Sequence, residues 1–280
     1  MSKRIISPVI YYGGKSTLAP WIVRHFPSHR IYVELFGGGA SVLLAKPRVH
    51  TDIYNDLEGD VVNFFRVARD SGQELKRLLW LTPYAREEFA DVVNGEKSDD
   101  PVERARRFLV TCRQGYGGSG TSKRYFSAGN WKTASIHPSV SPKHTWLNAI
   151  DGRMDQLIER FQGVAIENRD FEWCIKQFDT SETLFYADPP YLREGRNFKH
   201  QYRHDFDDDD HTRLARALAS IKGKVVVSYH QSAQLDELYP KWRRAERASQ
   251  NRAVLVKGGT RRRTTEALLM NFPQETAEGA

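Results

Sequence analysis

Cysteine is scarce. The 280 residues hold two, Cys112 and Cys174, each beside apolar or aromatic neighbours and neither at metal-ligand spacing. That excludes a disulfide framework and a thiolate metal centre, and it predicts reduced, packed thiols. Long apolar runs are missing as well. No stretch approaches the ~18 residues that a membrane span requires. The opening MSKRIISPVIYYGGK lacks the apolar core of a secretory signal. These absences predict a cytoplasmic chain with no membrane association. There is no internal repeat and no low-complexity tract. What remains is ordinary for a globular protein, with 40% apolar and 28% charged residues. The length suits one large domain or two smaller ones.

Two nucleotide motifs are present only in part. The stretch YYGGKST (11–17) offers Lys15 and Ser16 as the end of a phosphate loop, but Val9 stands where the leading glycine belongs. Valine does not adopt the positive φ which that turn needs, and no strand of useful length precedes it. Lys15 therefore serves another purpose. Further on, VELFGGGASVLL (33–44) reads as strand, glycine turn and helix. Gly37 and Gly39 fit a dinucleotide fingerprint, but Val42 occupies its third glycine position. The pattern predicts a site for a nucleoside-containing cofactor without saying which. Asp56, at the end of the next strand, suits either ribose hydroxyls or a cap on the following helix.

Alternation and turn residues predict strands at 31–36, 49–54, 164–168, 183–187, 224–229, 253–257 and 267–272, with a hairpin turn at 258–263 joining the last two. Helices are predicted after the glycine turn, from 61 to about 68, from 210 to 221 and from 232 to 238. Three more should start at the cap-proline pairs Thr82-Pro83, Asp100-Pro101 and Ser141-Pro142. The acidic run DDDD (207–210) reads as helix capping and not as a metal site. An α/β sheet thus surrounds a mainly helical insert.

Charge is concentrated in that insert. Residues 101–150 carry eight basic side chains against Glu103 alone, a surplus equal to the net charge of the whole chain, +7. Aromatic residues Tyr116, Tyr125, Phe126 and Trp131 are interleaved with them. That composition predicts a polyanionic partner, nucleic acid in the first place.

The stretch FYADPPY (185–191) carries the most chemistry. A hydrophobic strand ends in Asp188-Pro189-Pro190-Tyr191. Proline fixes φ and removes a donor, and it forces the preceding residue into an extended conformation. The result is a stiff corner that presents the Asp188 carboxylate and the Pro189 carbonyl as acceptors beside the flat ring of Tyr191. Two acceptors and a stacking face suit an exocyclic NH₂ on a planar base.

Taken together, YYGGK, VELFGGGAS and DPPY, in this order, resemble the DNA adenine-N6 methyltransferase family of the Dam type, in its Dam-like and phage-encoded branch. The likeness extends to SYHQS (228–232) and KGGTRRRTTEALL (257–269). It implies a Rossmann-like seven-stranded methyltransferase sheet. Residues 1–61 and 161–280 would form the catalytic domain and 62–160 a DNA-recognition insert. It implies S-adenosylmethionine as methyl donor, no metal, double-stranded DNA as substrate and no obligatory protein partner. Tyr11, Gly14 and Lys15 would contact the cofactor, with Phe36, Gly37 and Gly39 on its methionine side, Asp56 at the ribose and Asp170 near the adenine. Asp188, Pro189, Pro190 and Tyr191 would be catalytic, Asp188 also touching the cofactor.

The family's recognition hairpin resembles CRQGYGG (112–118). Arg113, Tyr116, Lys123 and Arg124 are therefore the candidate DNA contacts. Cys112, Gly117 and Ile10 depart from the family pattern, so a GATC target is not implied. The loop 192–204 reads as either a flap over DNA or a surface loop. Methylation of cytosine N4 or of RNA, a nicotinamide-dependent oxidoreductase, and a DNA-binding module without catalysis are the alternatives that the residues leave open.

Overall fold

The computed structural model describes residues 5–115, 130–132, 141–192, 206–250 and 263–273. The sheet has seven strands, β1 (Ile31–Glu34), β2 (Thr51–Asn55), β3 (Val164–Glu167), β4 (Thr183–Ala187), β5 (Lys224–His230), β6 (Arg243–Gln250) and β7 (Arg263–Met270). Their spatial order is β3-β2-β1-β4-β5-β7-β6. The first five run parallel, while β7 is antiparallel to both β5 and β6. The order reverses between β1 and β4, so a crevice opens where those two strands end, the usual place for a ligand in such sheets.

Side chains alternate between the two faces of the sheet. Tyr32, Tyr54, Tyr186, Val226 and Leu268 enter one core. Val33, Ile53, Phe185, Val227 and Leu269 enter the other. The first face is covered by α1 (Ala19–Val23), α2 (Ser41–Ala45) and the helices between β2 and β3. Those are α3 (Gly59–Asp70), α4 (Gly72–Leu81), α5 (Arg86–Asn94), α6 (Pro101–Gln114), α7 (Pro142–Ile150) and α8 (Arg153–Phe161). The second face carries α9 (Phe171–Phe178), α10 (Asp208–Ala219) and α11 (Gln234–Leu238). The helical segment is bolted to the sheet by aromatic rings: Phe65 stacks on Phe161 at 4.6 Å and touches Tyr54 at 4.8 Å.

Local rules account for most element ends. Asp100 caps α6 by accepting from the amides of Val102 and Glu103, with Pro101 in the first turn. Asp207 and Asp210 form a reciprocal capping box on α10, which is the role read from DDDD. Three expectations need correction. No helix begins at Thr82-Pro83. Thr82 closes α4 by donating its hydroxyl to the Leu78 carbonyl at 2.8 Å, and the next helix waits until Arg86. Arg263, assigned to a turn, already belongs to β7, and the antiparallel partner of that strand is β6. β6 had no signal because RRAERASQ is an arginine-rich edge strand without apolar alternation, a composition that blunts edge-to-edge association. The expected strand at 253–257 lies outside the described residues.

Candidate active site

The crevice at the strand-order reversal is a cleft of about 330 Å³, in the range for a nucleoside-sized ligand. It gathers Tyr11, Gly14 and Lys15 from the N-terminal segment and Phe36, Gly37 and Gly39 from the turn after β1. Asp56 enters after β2, Asp170 at the start of α9, and Asp188 through Tyr191 after β4. Every residue assigned from the sequence to the cofactor or to catalysis therefore lines one cleft.

The glycine turn is held by β2. Gly37 donates to the Asn55 carbonyl at 2.7 Å, and Gly38 to the Asp56 carboxylate at 2.7 Å. The Tyr54 hydroxyl donates to the Gly38 carbonyl at 2.8 Å. Gly37 must be glycine because a Cβ there would overlap the Tyr54 ring. Gly38 has φ +46°, which glycine adopts without strain. The other Asp56 oxygen accepts from the Glu58 amide at 2.8 Å, while Glu58 itself caps α3. Asp56 thus orders the turn and faces the cleft. The helix cap is its neighbour's task. Asp170 caps α9 and pairs with Arg213 at 2.6 Å, at the outer wall of the cleft.

Lys15 answers the question raised by GGK. Its ammonium is buried, donates to Asp188 Oδ2 at 2.8 Å and to the Gly13 carbonyl at 3.1 Å, and lies 4.7 Å from the centre of the Tyr191 ring. Asp188 Oδ1 is 2.7 Å from the same nitrogen. Both carboxylate oxygens therefore lie within reach of the one ammonium, and Oδ1 is buried. Burial pushes the Asp188 carboxyl up to about 6, the Lys15 ammonium opposes this, and Glu266 adds to it. Burial works against the Lys15 charge, but Asp188 and Glu266 more than offset it, so the ammonium is retained.

Three groups at the site had no role in the sequence reading. Glu34, the single charge in IYVELF, is buried at the end of β1 and accepts from the Tyr32 hydroxyl at 2.9 Å. Burial pushes its carboxyl up to about 8, which keeps it protonated at neutral pH. Glu266 on β7 accepts from the Tyr191 hydroxyl at 2.5 Å. His230, whose ring centre is 4.2 Å from that of Tyr191, is driven down to about 4 by burial and by Lys15, so it stays neutral. An acidic residue closing an otherwise apolar strand was the available signal for Glu34; Glu266 stands just before the apolar run of its strand, RTTEALLM, and gave a weaker one.

The candidate DNA contacts are not brought together in the same way. Arg113 turns inward, and its guanidinium donates to the carbonyls of Pro8 and Ser7. That ties α6 to the segment leading to Lys15. Burial lowers its pKa to about 10, a value at which it is still charged at neutral pH. Tyr116, Lys123, Arg124 and most of the loop 192–204 lie outside the described residues. Among the described residues no helix is long and apolar enough to cross a membrane.

Residues 11–253 match a family described as D12 class N6 adenine-specific DNA methyltransferase. The chain is 28% identical over 288 residues to a DNA adenine methylase of Vibrio cholerae, covering 95% of this chain and 96% of that one. It is 25% identical over 281 residues to the DNA adenine methylase of Escherichia coli K12, covering 93% of each. A Type II methyltransferase of Lactococcus lactis, M1.LlaDCHI, is 24% identical over 283 residues, again with 93% of each chain covered.

Proposed function

The chain belongs to the D12 class of N6 adenine-specific DNA methyltransferases, and from that premise we propose how its cleft performs the reaction. The substrate is an adenine swung out of a DNA duplex, since N6 cannot be approached within the stack. Extrusion costs a few kcal/mol. Stacking on the Tyr191 ring offsets roughly 1–3 kcal/mol of it, by analogy with single-strand binders.

Adenine N6 is a weak nucleophile because its lone pair is shared with the ring. The Asp188 carboxylate accepts one N6 hydrogen, and the Pro189 carbonyl accepts the other. The nitrogen is drawn toward tetrahedral geometry and its lone pair is freed along one direction. This is positioning and electrostatic stabilisation by groups already in place, with no covalent enzyme intermediate. The Asp188 carboxylate, held in the cleft wall by the buried Lys15 ammonium at 2.7 and 2.8 Å, is the observation that carries the reading. A carboxylate oxygen has more than one acceptor position, so Asp188 can hold Lys15 and accept from an arriving N–H together.

S-adenosylmethionine, when bound, supplies a methyl group made electrophilic by its sulfonium. The residues fit it: a turn without Cβ atoms permits close approach of backbone, and carboxylates stand at both ends of the cleft. Phe36, Gly37 and Gly39 would hold its methionine side, Asp56 the ribose hydroxyls, and Asp170 the adenine end. Tyr11, Gly14 and Lys15 would close the wall opposite. Residues 1–61 and 161–280 would carry this chemistry, and 62–160, with Tyr116, Lys123 and Arg124, would read the DNA. Arg113 would contribute by bracing Ser7 and Pro8. The likeness to bacterial DNA adenine methylases supports action in the cytoplasm, and no protein partner is invoked.

Single-molecule sequencing of DNA from cells expressing the chain tests this reading. N6-methyladenine in one recurring sequence context, absent from cells with an empty vector, is the expected result. Methylation confined to cytosine, or none, would overturn it.

A further inference from the structure

Glu266 lies two strands away from Asp188 in the sheet, which runs β4-β5-β7 at this point. It reaches the cleft because β7 is antiparallel to β5, so that an early residue of β7 pairs with His230 at the end of β5. It is 2% exposed, and the residues that follow it, Ala267 to Met270, are apolar and buried. Packing of this strand does not call for a charge, and burying one is costly unless it is matched. Its match is the site. Oε1 accepts from the Tyr191 hydroxyl at 2.5 Å and lies 3.8 Å from the Lys15 ammonium. Oε2 lies 3.7 Å from His230 Nε2.

We propose that Glu266 is a positioning residue for methyl transfer: it fixes the ring of Tyr191 through the hydroxyl and stands as the second anion beside Lys15, the cation that grips Asp188. The proposal rests on the reading of the cleft given above. Without the Glu266 charge the Tyr191 ring loses its tether. Lys15 then keeps Asp188 at 2.7 Å but loses its second anion. The groups facing Asp188 are Lys15 from the N-terminal segment, Glu34 from β1, Tyr186 from β4, Tyr191 after it, and Glu266 from β7. His230 on β5 faces Lys15 and Glu266 and is neutral. Glu266 is thus the anion that balances Lys15 against Asp188, and its removal lowers the Asp188 pKa.

The test compares wild type, Glu266→Gln, Tyr191→Phe and the double variant on a duplex containing the methylated sequence. Four quantities are measured: the single-turnover rate, the cofactor Kd by calorimetry, the fluorescence lifetime of 2-aminopurine at the target base without cofactor, and the pH dependence of kcat/KM. Glu266→Gln should slow single turnover by about tenfold or more, with the cofactor Kd changed less than about threefold. Its acid limb should move to lower pH, and the 2-aminopurine lifetime should lengthen as the stacking ring loosens. The double variant should lose no more than Glu266→Gln. A rate and acid limb equal to wild type would overturn the proposal. So would a loss that merely tracks the thermal midpoint, with the limb and lifetime unmoved. If Glu266→Gln does not fold, Tyr191→Phe carries the test, and a wild-type lifetime and rate in it overturn the proposal. A wild type that makes no N6-methyladenine refutes the functional reading itself; methylating wild type with an equally active Glu266→Gln refutes this inference alone.

Discussion

Replacing Asp188 by asparagine isolates the chemistry of the site from its packing. The two side chains have nearly the same shape, so the cleft keeps its form and Lys15 keeps Glu266 at 3.8 Å. The amide has one acceptor, and the buried ammonium of Lys15, now 2.8 Å from Oδ2, claims it. The NH₂ must then occupy the place of Oδ1, 2.7 Å from the same ammonium. There it meets the arriving N6–H as donor against donor. The variant thus loses an acceptor and gains an opposed dipole at the reacting nitrogen. Loss of one preorganised group at a developing charge costs about 10²–10³-fold in rate, or roughly 3–4 kcal/mol. Asp188→Asn should reach or exceed that. Transfer of labelled methyl groups to duplex DNA under single-turnover conditions measures it, and DNA and cofactor affinities should remain within about tenfold of wild type. Retention of more than about a tenth of the wild-type rate would refute the reasoning. Asp188→Ala should be equally inactive and less stable, since it leaves Lys15 without its closest partner, a loss of about 3–5 kcal/mol for a broken buried pair.

Three further outcomes are expected. Asp188 must be ionised to accept from N6, and its carboxyl titrates at about 6, so kcat/KM should rise with pH through about 6. Stability should run the other way across the window from about 4 to 6. A carboxyl whose folded pKa is raised favours the folded state at low pH, and this contribution fades as pH rises through the folded value; pH-dependent denaturation of wild type against Asp188→Asn shows whether it does. Gly37→Ala would press a methyl into the Tyr54 ring, and a melting curve should report a loss of about 1–3 kcal/mol together with weaker cofactor binding. Neutralising Arg124 should reduce the slope of log K against log salt by about one if that side chain meets a phosphate; an unchanged slope excludes the contact.

Much of the site was legible because its pieces are local. A strand that ends in glycines or in two prolines declares its turn through backbone chemistry alone. The capping of α6 by Asp100 and of α10 by Asp207 follows from residues within one turn of each other. The helix expected at Thr82-Pro83 failed because a threonine that suits an N-cap also suits the last turn of the preceding helix, where its hydroxyl reaches the Leu78 carbonyl. The edge strand β6 was invisible because RRAERASQ carries no apolar alternation, the signal by which a half-buried strand is read.

The sequence by itself determined the glycine turn and the DPPY corner, since each is written in the φ preferences and side-chain chemistry of a few consecutive residues, while the class of reaction came from the resemblance of those motifs to a known family. Only the tertiary structure decided that Lys15 grips Asp188 across 173 positions, that Glu266 holds Tyr191 from 75 positions away, and that Arg113 braces Ser7 and Pro8. Those pairings depend on strand order and on one strand running backwards. A charge placed in the chain carries no mark of which opposite charge the closed sheet will set beside it.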